Sequence, residues 1–200
     1  MIVVVLTGSI AMGKSTTATM FNRRKIPIFD ADKLVHSFFS KGGAAVGMVN
    51  EHFPSAITDD TVDRAVLGEI VFGDPHRLSI LESIIHPLVD NERNRFLQRH
   101  RRRKTKIVVL DVPLFYEIKK RYKSDFVCVV SAPGFLQRQR ALGRPGMTRQ
   151  KLDAILARQM PDHEKRKRSN FVIPTGLGIA YTNRRLRRTL NKIRQCRNVI

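Results

Sequence analysis

At 200 residues, with 42% hydrophobic and 27% charged residues, the chain is long enough for one α/β domain with a substantial core and for insertions beside it. Its 37 Lys and Arg against 17 Asp and Glu give a net charge of +20, a field that favours anionic partners without choosing among nucleotides, nucleic acid and acidic membrane surface. No stretch approaches the ~20 continuous apolar residues that span a bilayer, and Met1 to Leu6 lacks a basic leader or small-residue cleavage site. The two cysteines, Cys128 and Cys196, have no metal-ligand spacing. Membrane-spanning, secreted and disulfide-framework classes are set aside, and a cytoplasmic protein is expected.

The opening run Ile2-Val3-Val4-Val5-Leu6 is apolar without alternation, the pattern of a strand covered on both faces. Thr7 to Ser15 reads as a glycine-containing turn, Thr16 to Arg24 as a helix, and Pro27-Ile28-Phe29 as a short strand ending at Asp30-Ala31-Asp32. From about 33 to 104 the pattern is mainly helical, interrupted at Gly42-Gly43 and Phe53-Pro54. Its longest helix is predicted over Leu78 to Arg103, with Pro87 bending it. Ile107 to Leu110 and Phe126 to Val130 read as two more buried strands. Helical pattern returns from Pro133 to Arg168 with a break at Gly143 to Gly146, then a fifth strand over Phe171 to Ile173 and a basic helix over Ala180 to Arg194. This alternation predicts an α/β fold with a parallel five-stranded sheet and right-handed crossovers. The expected division is a nucleotide-binding core over 1–32, 105–132 and 169–200, a helical acceptor-substrate arm over 33–104, and a helical lid over 133–168.

Gly8-Ser9-Ile10-Ala11-Met12-Gly13-Lys14-Ser15 matches G-x-x-x-x-G-K-[ST] at every fixed position, with an apolar strand directly before it and a helix directly after. Such a loop predicts a three-layer P-loop NTPase fold. Gly8 and Gly13 are expected to let the backbone curl until successive amides face phosphate oxygens. The helix that follows directs its positive end at the same anion. Lys14 reaches the β- and γ-phosphates, and the Ser15 hydroxyl coordinates Mg²⁺. ATP with Mg²⁺ is the expected ligand, contacted by Gly8, Ala11, Met12, Gly13, Lys14, Ser15 and Thr16.

Ligands of open α/β sheets bind at the carboxyl ends of strands, where Asp30 and Asp32 are expected. One could take a proton from an attacking hydroxyl, or either could cap the helix starting near Lys33. Asp111, after the third main strand, reads as an acid facing Mg²⁺ through water or as a turn aspartate. Arg138, Arg140 and Arg144 fall in the lid segment, with Arg140 and Arg144 on one face if the helix continues that far. A lid arginine would neutralise charge over the β- and γ-phosphates; the alternative is a solvated basic face. The runs Arg99 to Lys106, Lys165 to Arg168 and Arg184 to Arg197 lack the interleaved aromatics on which single strands stack. They read as solvated helix faces, so no specific nucleic-acid partner is expected.

Taken together, these motifs resemble the dephospho-coenzyme A kinase family over essentially the whole chain. The resemblance lies in the Leu6 to Thr16 loop, Asp30-Ala31-Asp32, Val62-Asp63-Arg64 with Leu67 and Val71-Phe72, and Leu81-Glu82 with Ile85-His86-Pro87. It continues through Asp111-Val112-Pro113-Leu114-Phe115-Tyr116-Glu117 and Arg158-Gln159-Met160. Ala11 stands where that family usually has glycine, and Phe53-Pro54, Ser169-Asn170 and Pro174-Thr175-Gly176 also depart from its pattern. The resemblance implies phosphorylation of the ribose 3′-hydroxyl of dephospho-coenzyme A by ATP. It makes Asp32 the base, has Thr7, Arg64, His86 and Phe115 help hold the acceptor, and has Arg140 close with the lid. Two other readings are a P-loop kinase of another nucleoside or nucleotide, which the Asp-Ala-Asp and His-Pro segments oppose, and a basic RNA-binding NTPase, which only the basic runs support. A monomer is expected.

Overall fold

A computed structural model describes residues 1–117 and 122–196; Arg197, at the end of the last basic run, lies outside the described residues. Strand β1 (Ile2–Thr7) leads to helix α1 (Lys14–Asn22) and strand β2 (Ile28–Asp30). Helices α2 (Ala31–Phe38) and α3 (Val46–His52), a 3₁₀ turn at Pro54–Ala56, the two-residue strands β3 (Ile57–Thr58) and β4 (Thr61–Val62), and helices α4 (Arg64–Val71) and α5 (Pro75–Arg102) follow. The chain then forms β5 (Ile107–Asp111), β6 (Phe126–Ser131), α6 (Gly134–Leu142), α7 (Arg149–Arg158), α8 (Asp162–Arg168), β7 (Phe171–Pro174) and α9 (Gly178–Cys196). Two compact units result: Met1–Phe29 with Lys104–Ile200, and Asp30–Arg103. The 133–168 segment, expected as a lid, belongs to the same compact unit as the sheet.

The first unit is built on a five-stranded sheet in the order β2-β5-β1-β6-β7. Its ladders are parallel, with Ile2 opposite Ile107, Val4 opposite Phe126 and Cys128 opposite Phe171. The side chains of Val4, Leu6, Val109, Cys128, Val130 and Ile173 pack with Met20 and Phe21 of α1 and with Leu186, Leu190 and Ile193 of α9. Alternation turns Val3, Val5, Val108, Leu110 and Val129 to the opposite face, and all are buried as well. That two-sided cover is why the strands read as unbroken apolar runs, each such side chain stabilising the fold by about 1.5–3 kcal/mol. Asn170, just ahead of β7, accepts the Val127 N–H at 2.8 Å and so starts the β6–β7 ladder.

Helix α9 buries Thr182, Leu186, Thr189, Leu190 and Ile193, a stripe at helical spacing, and exposes Arg184, Arg187 and Arg188. Here the basic run is a solvated face, as expected. Lys165 is a correction: it too was expected on a solvated face, yet it is fully buried.

The second unit, residues 30–103, surrounds a core that includes Phe38, Phe39, Val49, Phe53, Val62, Leu67, Ile84 and Val89. Aspartates start three of its helices. Asp30 accepts the Lys33 N–H before α2, Asp63 those of Ala65 and Val66 before α4, and Asp74 those of His76 and Arg77 before α5. The antiparallel β3–β4 pair was not predicted, because two residues per strand are too few to show a period. Its turn places both Asp59 and Asp60 at positive φ, 49° and 58°, as a tight hairpin requires. Among the described residues no helix is long and apolar enough to cross a membrane.

Both cysteines are free; Cys128 is buried in β6 and Cys196 is exposed near the end of α9. Burial pushes the Cys128 thiol up to about 12, so it offers neither access nor thiolate. In the native protein an aromatic disulfide reagent should therefore titrate Cys196 alone, and denaturant should release the second thiol. Equal rates for both in the native state would contradict the packing of β6.

Candidate nucleotide site

Strand β1 ends at Thr7, and the loop that follows turns into α1 at Gly13, whose φ of 90° and ψ of 19° lie in the left-handed region. Gly8 is different: it is absent from the positive-φ positions, and what requires glycine there is space. A Cβ on Gly8 would collide with the Val130 side chain and come within 2.9 Å of the Val130 carbonyl on the neighbouring strand. The second left-handed residue of the loop is Ala11, at φ 59°. The curl expected from Gly8 and Gly13 is thus made by Ala11 and Gly13, and Gly8 serves close strand-to-loop approach. The Ala11 methyl is buried with Ala141 of α6 and Leu152 of α7.

Polar bonds fix the loop from outside. The Ile10 N–H donates to Gln159 Oε1 and its carbonyl accepts from Gln137 Nε2, both at 3.0 Å. The Met12 carbonyl accepts from Thr175 Oγ1 at 2.7 Å, and the Met12 sulfur accepts the Ala132 N–H at 3.1 Å. The Met12 side chain is itself buried, and the Met12 N–H donates to the Ser9 carbonyl at 3.2 Å.

Helix α1 opens with Lys14, two residues earlier than expected, and has no acid in its first turn, leaving its positive end open to an anion. The Lys14 ammonium lies 2.6 Å from Asp111 Oδ1, and Asp111, the last residue of β5, is almost wholly buried. The β1–β5 register sets this meeting by placing Leu6 opposite Asp111. Ser15 and Thr16 follow on the exposed side of the first turn. A hydroxyl and a carboxylate are hard oxygen donors suited to Mg²⁺. Among the described residues no group of three or more His, Cys, Asp or Glu could hold a metal alone, so remaining ligands would come from nucleotide and water.

Beside the loop lies a cavity of about 210 Å³, walled by Gly13, Thr17 and Met20 on one side, Ile179 and Thr182 of α9 on another, and Arg140. The Arg140 guanidinium donates to the Thr175 carbonyl at 2.8 Å and to its Oγ1 at 3.4 Å. Helix α6 stops at Leu142, so Arg140 and Arg144 do not share a continuous helical face; Arg144 is exposed on the following turn. Arg138 pairs with Asp153 of α7 at 2.9 Å on the surface.

Thr7 is buried, and its hydroxyl donates to the Pro113 carbonyl at 3.1 Å, joining the loop's start to the 112–117 segment. In that segment Phe115 is half-buried with its ring edge-on to Tyr116, centroids 5.1 Å apart. Glu117 Oε1 accepts the Met160 N–H at 2.8 Å and lies 2.7 Å from Lys165 Nζ, an ion pair off the hydrogen-bonding direction. A fully buried ammonium needs such a partner. Sequence reading missed it because Lys165 stands among other cations.

The remaining expected site residues belong to the second unit. Asp30 is the cap of α2, its carboxylate accepting the Lys33 N–H. Asp32 is exposed in the first turn of α2, inside the helix and not at a strand end, and no hydrogen bond engages its carboxylate among the described residues. Exposed Arg64 meets His36 Nδ1 at 3.0 Å, a partner no motif had singled out. His86 is exposed within α5, neither packed nor capping.

A family model described as dephospho-CoA kinase matches residues 2–179. Curated proteins named dephospho-CoA kinase are similar: that of Paramagnetospirillum magneticum is 55% identical over 161 residues, covering 80% of this chain and 76% of the relative. The one from Mesorhizobium japonicum is 51% identical over 179 residues, 90% of each chain. Among solved structures, a Thermus thermophilus protein superposes with TM-score 0.82 at 29% identity and a dephospho-CoA kinase from Campylobacter jejuni with 0.62 at 25%, each covering 96% of both chains.

Removing one member of the buried pair isolates the other's cost. Glu117→Ala should destabilise by about 3 kcal/mol, lowering Tm by roughly 6–12 °C for a chain of this size. Adding Lys165→Met to it should recover much of the loss in thermal melts. A single variant that melts with the wild type would mean the pair carries no stability.

Proposed function

The chain belongs to the dephospho-CoA kinase family, and on that premise we propose how its residues divide the work of moving a phosphoryl group from ATP to the ribose 3′-hydroxyl of dephospho-coenzyme A. Its dephospho-CoA kinase activity is an ATP-dependent phosphotransfer, a reaction in which the protein contributes mainly positioning and charge. The observation that carries the donor side is Lys14 at the open positive end of α1, held 2.6 Å from Asp111. Loop amides of Gly8, Ala11 and Gly13 to Thr16 take phosphate oxygens, and Lys14 supplies the fixed charge at the β- and γ-phosphates. The Ser15 hydroxyl and the Asp111 carboxylate would hold Mg²⁺, which would supply positive charge at those same phosphates. The base and ribose of ATP rest in the cavity lined by Met20, Arg140 and Ile179, which opens beside Gly13. The 133–168 segment works as the lid, with Arg140 held by Thr175 and the exposed Arg144 reaching the phosphates.

Asp32 is the base: with helix capping taken by Asp30, its carboxylate is exposed and unengaged. The 3′-hydroxyl gives its proton to Asp32 as its oxygen bonds to the γ-phosphorus and the bond to ADP breaks. The 33–104 segment is the acceptor arm. In it Arg64, steadied by His36, offers a guanidinium to the acceptor's anionic groups, and His86 stands free to bind. Phe115 offers an apolar ring, and Thr7 acts through the segment it ties down at Pro113. The two free thiols support a reducing, cytoplasmic setting, and the +20 charge supports a monomer, since like-charged copies repel.

The test is ADP formation with dephospho-coenzyme A present and absent. Asp32→Asn should lower kcat by about 10²-fold or more while KM for ATP stays within about threefold of wild type. Near-normal kcat in this variant would remove Asp32 from the chemistry.

A further inference from the structure

The crest of the phosphate loop carries two side-chain bonds that phosphate binding does not itself require. Gln159 Oε1 accepts the Ile10 N–H and Gln137 Nε2 donates to the Ile10 carbonyl, so the peptide groups on both sides of the Ile10 α-carbon are gripped at once. The orientation of each amide is fixed by its partner, since an N–H needs an oxygen and a carbonyl needs a nitrogen. Both glutamines are neutral, so they hold the loop without altering the charge that a triphosphate meets.

The loop needs such a hold. The next residue, Ala11, sits at φ 59°, a region that costs a residue with a Cβ about 1 kcal/mol or more and persists only where its surroundings enforce it. The enforcing groups are themselves anchored. Gln137 is buried in α6, with its own N–H on the Pro133 carbonyl at 3.0 Å. Gln159 ends α7 with its N–H on the Leu156 carbonyl at 3.2 Å, and the adjacent Met160 N–H is held by Glu117.

We infer that Gln137 and Gln159 are positioning residues for phosphoryl transfer, a two-point clamp that sets the shape of the loop from the 133–168 segment. Neither touches the transferred group; they act through the Ile10 backbone. The inference rests on residues 8–16 being the phosphate cradle, and it adds that the segment bearing Arg140 and the cradle share one set of hydrogen bonds.

Gln137→Met and Gln159→Met keep length and bulk while removing the bonds, and are measured singly and together in the full chain. Each should raise KM for ATP by about 5-fold, the scale of one lost hydrogen bond, with KM for dephospho-coenzyme A within twofold. The double variant should lose less than the product of the singles, because both bonds restrain the same residue. Unchanged KM for ATP in both singles, an equal rise for both substrates, or fully multiplicative losses would each overturn the clamp. Amide hydrogen exchange on the wild type needs no variant: without nucleotide, the Ile10 N–H should be protected, and exchange at the rate of an unbonded loop amide would also overturn it. Lys14→Met separates the premise from the inference. Normal turnover in that variant would sink the cradle itself, whereas a dead Lys14→Met beside normal glutamine variants would sink only the clamp.

Discussion

Strand β1 lies between β5 and β6 in parallel register, and the chemistry of the first unit depends on that placement. Parallel strands end together, so the loop after β1 emerges beside the end of β5. The pairing of Leu6 with Asp111 then brings a nearly buried carboxylate to the lysine that opens α1. Burial of both sheet faces makes the register hard to slip, because a shift of one residue would exchange the two faces and mismatch every side chain packed against them. The ion pair is a consequence of the sheet; it does not build it.

Around that fixed point the loop is held from several sides. Val130 leaves room only for glycine at position 8, Thr175 crowds Gly13 and bonds the Met12 carbonyl, and the glutamines hold Ile10. Thr175 also receives the Arg140 guanidinium, so one short turn after β7 serves both the loop and the cavity wall. Preorganisation of this kind matters for phosphoryl transfer, where fixed dipoles and charges need not reorganise as the reaction proceeds.

The high positive charge has more than one fate. Most of α9's arginines face solvent, where they add to the long-range field, and Arg184 also lies over the Tyr181 ring, 5.6 Å from its centroid. Lys14 and Lys165 instead leave water in part or completely, and each meets a carboxylate. Their partners, Asp111 and Glu117, bound one seven-residue motif, so a single stretch of chain supplies both counter-charges.

The sequence by itself determined what local spacing encodes. The five strands, the phosphate loop and its helix, and the length of the helical insertion were all legible from apolar runs and from glycine, lysine and serine at fixed intervals. It also marked Asp30 and Asp32 as a pair, but not which of them caps. Only the tertiary structure decided that, along with the reason for Gly8, the burial of Lys165, the partner of Arg140 and the grip on Ile10. The physical reason is distance along the chain. Ile10 and Gln159 are 149 positions apart, and Arg140 and Thr175 are 35 apart. Such meetings are chosen by packing and register, which no local period records.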